Sequence, residues 1–450
     1  MVPRLTKTEG AIIAIASIVL LGGIGGRPLF NFDEALYAQA AKEMVQSGNF
    51  LTPRWNGEFF FHKPPLLLWL TAICYKLLGI SEFSARLTSS LAGIGSALLT
   101  YKIGVRLYSP FVAVAACLIL LTSGLFIAES TYGRTDSLLL FFSLLAFYSY
   151  LKAEENRRWW FDVVAALAMA AMTKGLAAAV PTLVIAVSIL LDRRRVDYSK
   201  AFKGLVVFGP PVLAWHGYML ITHGRAFFNE YYLHQGFARA LGVIEGMASG
   251  YGYYFRVLVQ YFHPWCYLAP FALAFVIWKR ERSYLLLVSV VLVFGLFSFA
   301  GTKLSSYILP LIPALAILIA RLFALIRPAF AIPALGLLAL IAVPKVIKVR
   351  TPHIDFVSVK RLGLKASHDS GPLFTAPGLY CAPEIRFYSD RRVCARDDRG
   401  NTISMLTQCA TNEPTNTLFR ESELSKIQVI YDLQPIDNDG SFIYGAISEK

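Results

Sequence analysis

The sequence predicts an α-helical polytopic membrane protein with about eleven transmembrane helices and a small C-terminal α/β domain outside the membrane. Three observations predict it. Of the 450 residues, 56% are hydrophobic and only 16% charged, against roughly 25% charged in an average soluble domain, so the chain carries too little charge to cover a soluble surface. Mean hydropathy is +0.53. The apolar residues come in long blocks, such as Ala11–Gly23, Phe111–Ile127, Ser137–Leu151, Leu176–Leu191 and Leu285–Ala300, several of which approach the roughly 20 residues a span requires.

In chain order the spans lie near 9–29, 86–106, 110–128, 136–151, 159–174, 176–192, 203–221, 258–278, 284–300, 304–321 and 329–347. The first has no A-x-A-like cleavage site and reads as a retained span rather than a signal peptide. Pro64–Leu78 is short, opens with two prolines and ends near Lys76, which suits an interfacial helix. Dense basic clusters set the orientation: Lys102/Arg106, Arg157-Arg158, Arg193-Arg194-Arg195, Lys279-Arg280-Glu281-Arg282 and Arg321/Arg327 mark cytoplasmic loops. The same rule accounts for the net charge of +14 without nucleic acid. Residues 30–85, 222–257 and the tail then lie outside.

The chain divides into a transmembrane domain over 1–350 and a soluble extracytoplasmic domain over 351–450, where eleven Lys or Arg face thirteen Asp or Glu. Runs such as Leu373–Ala376, Glu384–Tyr388 and Ile427–Leu433 suggest the small α/β fold. Cys74, Cys117 and Cys266 lie in or beside apolar segments as buried thiols. Cys381, Cys394 and Cys409 allow one disulfide whose pairing the sequence does not select.

The unusual polar residues gather on the outer side. Asp33 and Glu34 follow the first span directly; an adjacent acid pair there is costly unless solvated or paired, and Asn31 or Asp33 also fits a helix N-cap. Asn56-Gly57 marks a tight turn. Lys63 precedes Pro64-Pro65, which holds it extended and suits a lipid phosphate as well as a snorkelling lysine. Asp136 opens a span, with Arg134 as a candidate partner. Lys174 punctuates two spans. His62 and His234 come from distant loops and form the one pair that could share a divalent metal. Arg239 offers a planar fork to phosphate, and Lys303 with Tyr307 brings a further cation and hydroxyl to the same face. Carboxylates mixed with cations at a lipid surface suggest a site for an anionic lipid and a neutral hydroxyl.

These blocks resemble a known family. Asp33-Glu34-Ala35-Leu36-Tyr37-Ala38, Ser47 to Glu58, His62-Lys63-Pro64-Pro65-Leu66-Leu67, Glu82 to Leu87, Arg134-Thr135-Asp136, Thr173-Lys174-Gly175 and Lys303 to Pro310 are similar, in order, to polyprenyl-phosphate-sugar-dependent glycosyltransferases of the GT-C fold. Lipid A aminoarabinose transferases and protein O-mannosyltransferases are the relatives in kind. The resemblance covers about 10–325. It implies a sugar donor on undecaprenyl or a similar polyprenyl phosphate, no nucleotide, and an acceptor outside the cytoplasm, such as a lipid A or lipopolysaccharide glycolipid, a protein or another glycan. It implies Asp33 as general base or acceptor-orienting group, with Glu34 and Asp136 as further catalytic carboxylates. Lys63 and Arg239, joined by Lys303 and Tyr307, would hold the donor phosphate. The chain departs from the aminoarabinose transferases at His62, where an acid contributes to a metal site, and at Leu36, where an Arg is usual. The competing reading is a multi-span lipid or solute transporter, which expects paired mid-membrane helix breaks in two repeated halves; no such symmetry is visible.

Overall fold

The computed structural model describes residues 5–29, 32–242, 250–281, 283–351, 354–368, 373–375, 382–391, 393–395, 415–420, 431–438 and 442–449. Helices dominate: α1 (Lys7–Leu21), α2 (Phe32–Ser47), α3 (Leu66–Leu78), α4 (Glu82–Leu107), α5 (Pro110–Leu121), α6 (Gly124–Thr131), α7 (Thr135–Lys152), α8 (Trp159–Lys174), α9 (Ala179–Asp192), α10 (Tyr198–Phe227), α11 (Arg239–Leu241), α12 (Tyr253–Tyr261), α13 (Ala269–Trp278), α14 (Tyr284–Phe299), α15 (Leu311–Phe323), α16 (Pro328–Arg350), α17 (Ile354–Ala366) and α18 (Ala382–Ser389). The strands are β1 (Arg54–Trp55), β2 (Glu58–Phe59), β3 (Leu373–Thr375), β4 (Val393–Ala395), β5 (Thr415–Arg420), β6 (Tyr431–Asn438) and β7 (Phe442–Glu449).

Packing divides the chain into two units, and the division is not a single cut. The first takes Met1–Gly22, Phe61–Leu67 and Leu87–Thr351; the second takes Gly23–Phe60, Leu68–Arg86 and the residues from Pro352 on.

The first unit is built around α15, where Leu311 to Ala320 are all buried. It packs on α5, α13 and α14. Small buried residues are common in this bundle, among them Ala113 and Ala116 on α5 and Ala314, Ala316 and Ala320 on α15, and a Cβ on Gly104 of α4 would lie 2.9 Å from the Ala113 backbone. Close backbone approach through small side chains is how helices associate where lipid removes the ordinary hydrophobic drive. Among the described residues three helical runs are long and apolar enough to cross a membrane: Trp159–Asp192, Tyr198–Ala238 and Pro328–Arg350. A fourth is the pair α5 and α6 taken as one span bent by 68°. Leu66–Leu78, Trp265–Trp278, Tyr284–Phe299 and Leu311–Phe323 are shorter apolar helices.

Several spans expected to be plain rods are interrupted. The 110–128 block bends where Ser123 caps α6 by accepting from the Phe126 N–H. The 159–174 and 176–192 blocks are joined by one 3-10 turn at Gly175–Ala178. The 258–278 block breaks at His263-Pro264, between α12 and the short turn Trp265–Tyr267. The outer loop expected from 222 is instead helical through Leu241, and Phe228–Ala238 is a π-helix.

In the second unit α2 packs on α18, and α17 packs on α18 and β7. Five strands form one mixed sheet in the order β4-β3-β5-β7-β6, parallel from β4 to β5 and antiparallel beyond it. Asn56-Gly57 makes the turn of the β1–β2 hairpin with both φ positive, as that dipeptide favours. Glu43 fastens this turn, accepting from the Asn56 N–H at 2.8 Å and the Gly57 N–H at 3.1 Å. Cys381 and Cys409 lie outside the described residues, as does Asn31; Cys74, Cys117 and Cys266 are free thiols.

Candidate functional site

In the first unit the ends of α6, α7 and α8 and the 305–308 turn gather four charged side chains. Thr135 and Asp136 begin α7, and Lys174 ends α8. Lys174 Nζ donates to Asp136 Oδ1 at 2.6 Å. Both side chains are about one-tenth exposed. Ser306 neighbours the Asp136 carboxylate, and Lys174 Nζ stands 5.4 Å from the Tyr307 ring centre. Beside this pair is a second one. Arg134 Nη1 donates to Glu129 Oε1 at 2.9 Å and Oε2 at 3.2 Å. The loop that carries Arg134 is held by Ser89, whose hydroxyl donates to the Arg134 carbonyl and accepts from its N–H.

Two sequence expectations change here. Arg134 pairs with Glu129 rather than with Asp136, and Asp136 takes Lys174 as its partner. Lys174, which punctuates two spans in the sequence, is part of the charged cluster. Glu129 itself was missed. Its signal was present, since an acid directly after the apolar run Leu125–Ala128, in a block of span length, is a functional candidate by default.

A second cluster lies along the π-helix. Glu230 Oε1 receives Gln235 Nε2 at 2.9 Å and stands 3.2 Å from His234 Nδ1 and 3.4 Å from His62 Nε2. The wide π turn places residues 230 and 235 on one line, which is a common device at functional sites. Thus the two histidines paired from sequence do converge, on a carboxylate that sequence reasoning overlooked. They meet it at hydrogen-bonding distances. Among the described residues no three His, Cys, Asp or Glu side chains are arranged to hold a metal ion. Gly175 closes the gap between the clusters: its φ is +57, and a Cβ there would lie 2.3 Å from the Tyr231 hydroxyl.

The remaining first-unit candidates are partly or wholly buried. Lys63 and Arg239 are half-buried, Lys63 just before Pro64-Pro65 and Arg239 at the start of α11. Lys303 is buried, and its ammonium donates to the Ala300 carbonyl at 2.6 Å; an ammonium has two further donors. Thr302 Oγ1 donates to the Gly242 carbonyl at 3.0 Å, anchoring that turn.

Asp33 and Glu34 belong to the second unit, in the first turn of α2, where the helix dipole favours acids. Asp33 is half-buried. Glu34 is fully buried and gripped from both sides: Arg86 Nε donates to Oε1 at 2.7 Å and Nη2 to Oε2 at 2.9 Å. Arg86 also donates to the carbonyls of Ile24, Arg27 and Pro28. The catalytic role read for Glu34 is thereby corrected. With both oxygens engaged and no exposed surface, it positions the turn that presents Asp33. In the same unit Glu384 on α18 is fully buried with no hydrogen-bond partner for either oxygen among the described residues. Burial pushes its carboxyl up to about 8, and the Glu34 charge adds to the push.

The family model for dolichyl-phosphate-mannose-protein mannosyltransferases matches residues 62–215. An uncharacterised protein from Aquifex aeolicus is 31% identical, over 67% of this chain and 61% of its own length. An undecaprenyl phosphate-alpha-4-amino-4-deoxy-L-arabinose arabinosyl transferase from Shewanella sediminis is 30% identical, over 66% of this chain and 56% of its own length. The chain thus spans about three fifths of the length of the curated relatives it matches. Among solved structures, ArnT from Cupriavidus metallidurans bound to undecaprenyl phosphate superposes with a TM-score of 0.82 over 98% of both chains, at 18% identity, which is a likeness of fold.

Proposed function

We propose, for a chain that belongs to the GT-C glycosyltransferases that use polyprenyl-phosphate sugars, that it is a membrane enzyme moving a sugar from undecaprenyl phosphate or a similar lipid phosphate to an acceptor outside the cytoplasm. A lipid A-type glycolipid is the acceptor best supported by the arabinosyl transferase relatives, ahead of a protein or another glycan. What supports the reading most is the coincidence of those relatives with a fold whose ion-paired groups lie at the ends of apolar helices. In this reading the eleven apolar blocks are spans, and the clusters and the residues beyond 351 face away from the cytoplasm of the inner membrane. No feature favours the transporter alternative.

The reaction is an inverting displacement. The acceptor oxygen attacks the anomeric carbon, the bond from that carbon to the phosphate oxygen breaks, and the acceptor proton passes to the Asp33 carboxylate. Lys63 and Arg239, with Lys303 and Tyr307, take the charge that grows on the leaving phosphate. Asp136, fixed by Lys174, orients the acceptor. His62 and His234 would offer two imidazoles to a divalent ion; Glu230 stands against both as their charge partner, and no third ligand is arranged with them among the described residues.

Asp33→Asn is expected to abolish sugar transfer in membranes, measured with a polyprenyl-phosphate sugar and extracted acceptor lipid, while the protein still inserts. Turnover at the normal rate would remove Asp33 from the mechanism. Mass spectrometry of glycolipids and polyprenyl lipids with and without the protein names sugar and acceptor together. For the metal, elemental analysis of purified protein is expected to find a divalent ion that is lost in His62→Ala/His234→Ala; metal-free protein with full activity ends that part of the reading.

A further inference from the structure

In the first unit α12 and α16 line a cavity of about 420 Å3, walled by Phe255, Arg256, Val259, Gln260 and Lys345. The two helices approach each other at the start of α6. A Cβ on Gly124 would touch the Tyr261 carbonyl at 3.2 Å and the Val349 side chain at 3.6 Å. Helix α12 has two faces. Tyr254 and Val257 are buried, whereas Phe255 and Val259, one turn apart, are 62% and 47% exposed. Arg256 and Gln260 run beside them with the same spacing, so an apolar row and a polar row lie side by side. Opposite stands Lys345, exposed near the end of α16. That helix is one of the runs long and apolar enough to cross a membrane, and only 22% of its apolar window is buried against the rest of the chain. Neither Arg256 nor Lys345 has a carboxylate partner among the described residues.

We propose that this groove binds an anionic phospholipid of the bilayer, with Arg256 and Lys345 on the headgroup phosphate and Phe255 and Val259 along an acyl chain. Two cations facing one cavity beside an apolar row match a phosphate joined to a hydrocarbon chain. A free phosphate would leave the apolar row unused. A snorkelling lysine alone would account for Lys345 but not for an arginine on a second helix across the same cavity. Basic pockets between membrane helices recognise acidic headgroups in this way. The site uses no residue assigned to sugar transfer.

The test compares lipid retention by purified wild-type protein and Arg256→Gln/Lys345→Gln after exchange from vesicles holding equal phosphatidylglycerol and phosphatidylcholine, read by lipid mass spectrometry. Each cation near a membrane surface is worth about fivefold in binding, so the double variant is expected to retain about 25-fold less phosphatidylglycerol, with phosphatidylcholine and sugar transfer unchanged. Arg256→Lys should keep most of the retention. Equal retention by wild type and double variant overturns the proposal. So does displacement of phosphatidylglycerol by undecaprenyl phosphate, which would make the groove part of the donor site. Should the double variant fail to fold, the wild type alone decides: phosphatidylglycerol must raise Tm above phosphatidylcholine, and equal Tm values refute the site.

Discussion

Glu34 and Asp136 are both buried acids beside a cation, one in each unit, yet their surroundings differ in kind. Glu34 is saturated. Both oxygens are held by Arg86, and the other guanidinium donors go to three backbone carbonyls. Asp136 has one lysine contact through one oxygen, one hydroxyl neighbour, and a side chain still about one-tenth exposed. A saturated pair has nothing left to offer a substrate, whereas a partly engaged one can exchange partners. Adjacency to a catalytic candidate in sequence is thus a poor guide to role, and the count of occupied oxygens is a better one.

The largest effect should come from breaking the saturated pair. Arg86→Ala leaves a charge buried and three carbonyls without donors, and removing one partner of a buried ion pair costs about 3–5 kcal/mol. Thermal unfolding in detergent should show a large drop in Tm. Next is Asp136→Asn, which should reduce transfer at least tenfold, about 1.4 kcal/mol in the barrier, with a smaller loss of Tm than Arg86→Ala. If it unfolds the protein as badly as Arg86→Ala while transfer per folded molecule is intact, the contrast between the two acids collapses.

A change in pH dependence alone is expected at Glu384, close enough to Glu34 to feel its charge. Its folded pKa is raised to about 8 from the ordinary 4.5 of a glutamate, so the folded state holds its proton longer than the unfolded chain does. Stability then falls as pH rises from about 4.5 to about 8 and levels off above that. Glu384→Gln should flatten the decline in Tm over this window. An unchanged slope would mean that the carboxyl is ionised in the folded protein.

Much of the helical framework was legible because apolar blocks of span length leave few alternatives. The polar end groups Asp136, Lys174 and Lys303 were legible because a charge beside an apolar block stands out. Other features depended on contacts remote in sequence. Nothing in Arg134-Thr135-Asp136 indicates that the arginine turns back to Glu129, and nothing in residues 23–60 indicates that they pack with the chain beyond 352. Glu230 was hidden among Phe227, Phe228, Tyr231 and Tyr232, aromatic neighbours that read as a loop but form a π-helix. Thr122-Ser123-Gly124 did carry a cap signal inside an apolar block, outweighed there by hydropathy.

The π-helix has a consequence for how this stretch tolerates change in length. Its eleven residues, Phe228–Ala238, hold Glu230 against Gln235 through a wide coil that exists only while the residue count is kept. Deleting one residue between them would let the coil relax to ordinary α-helical pitch and carry every later side chain, Arg239 included, around the axis by about 100°. The segment therefore behaves as a single indivisible unit in which substitutions are local events and insertions or deletions are not.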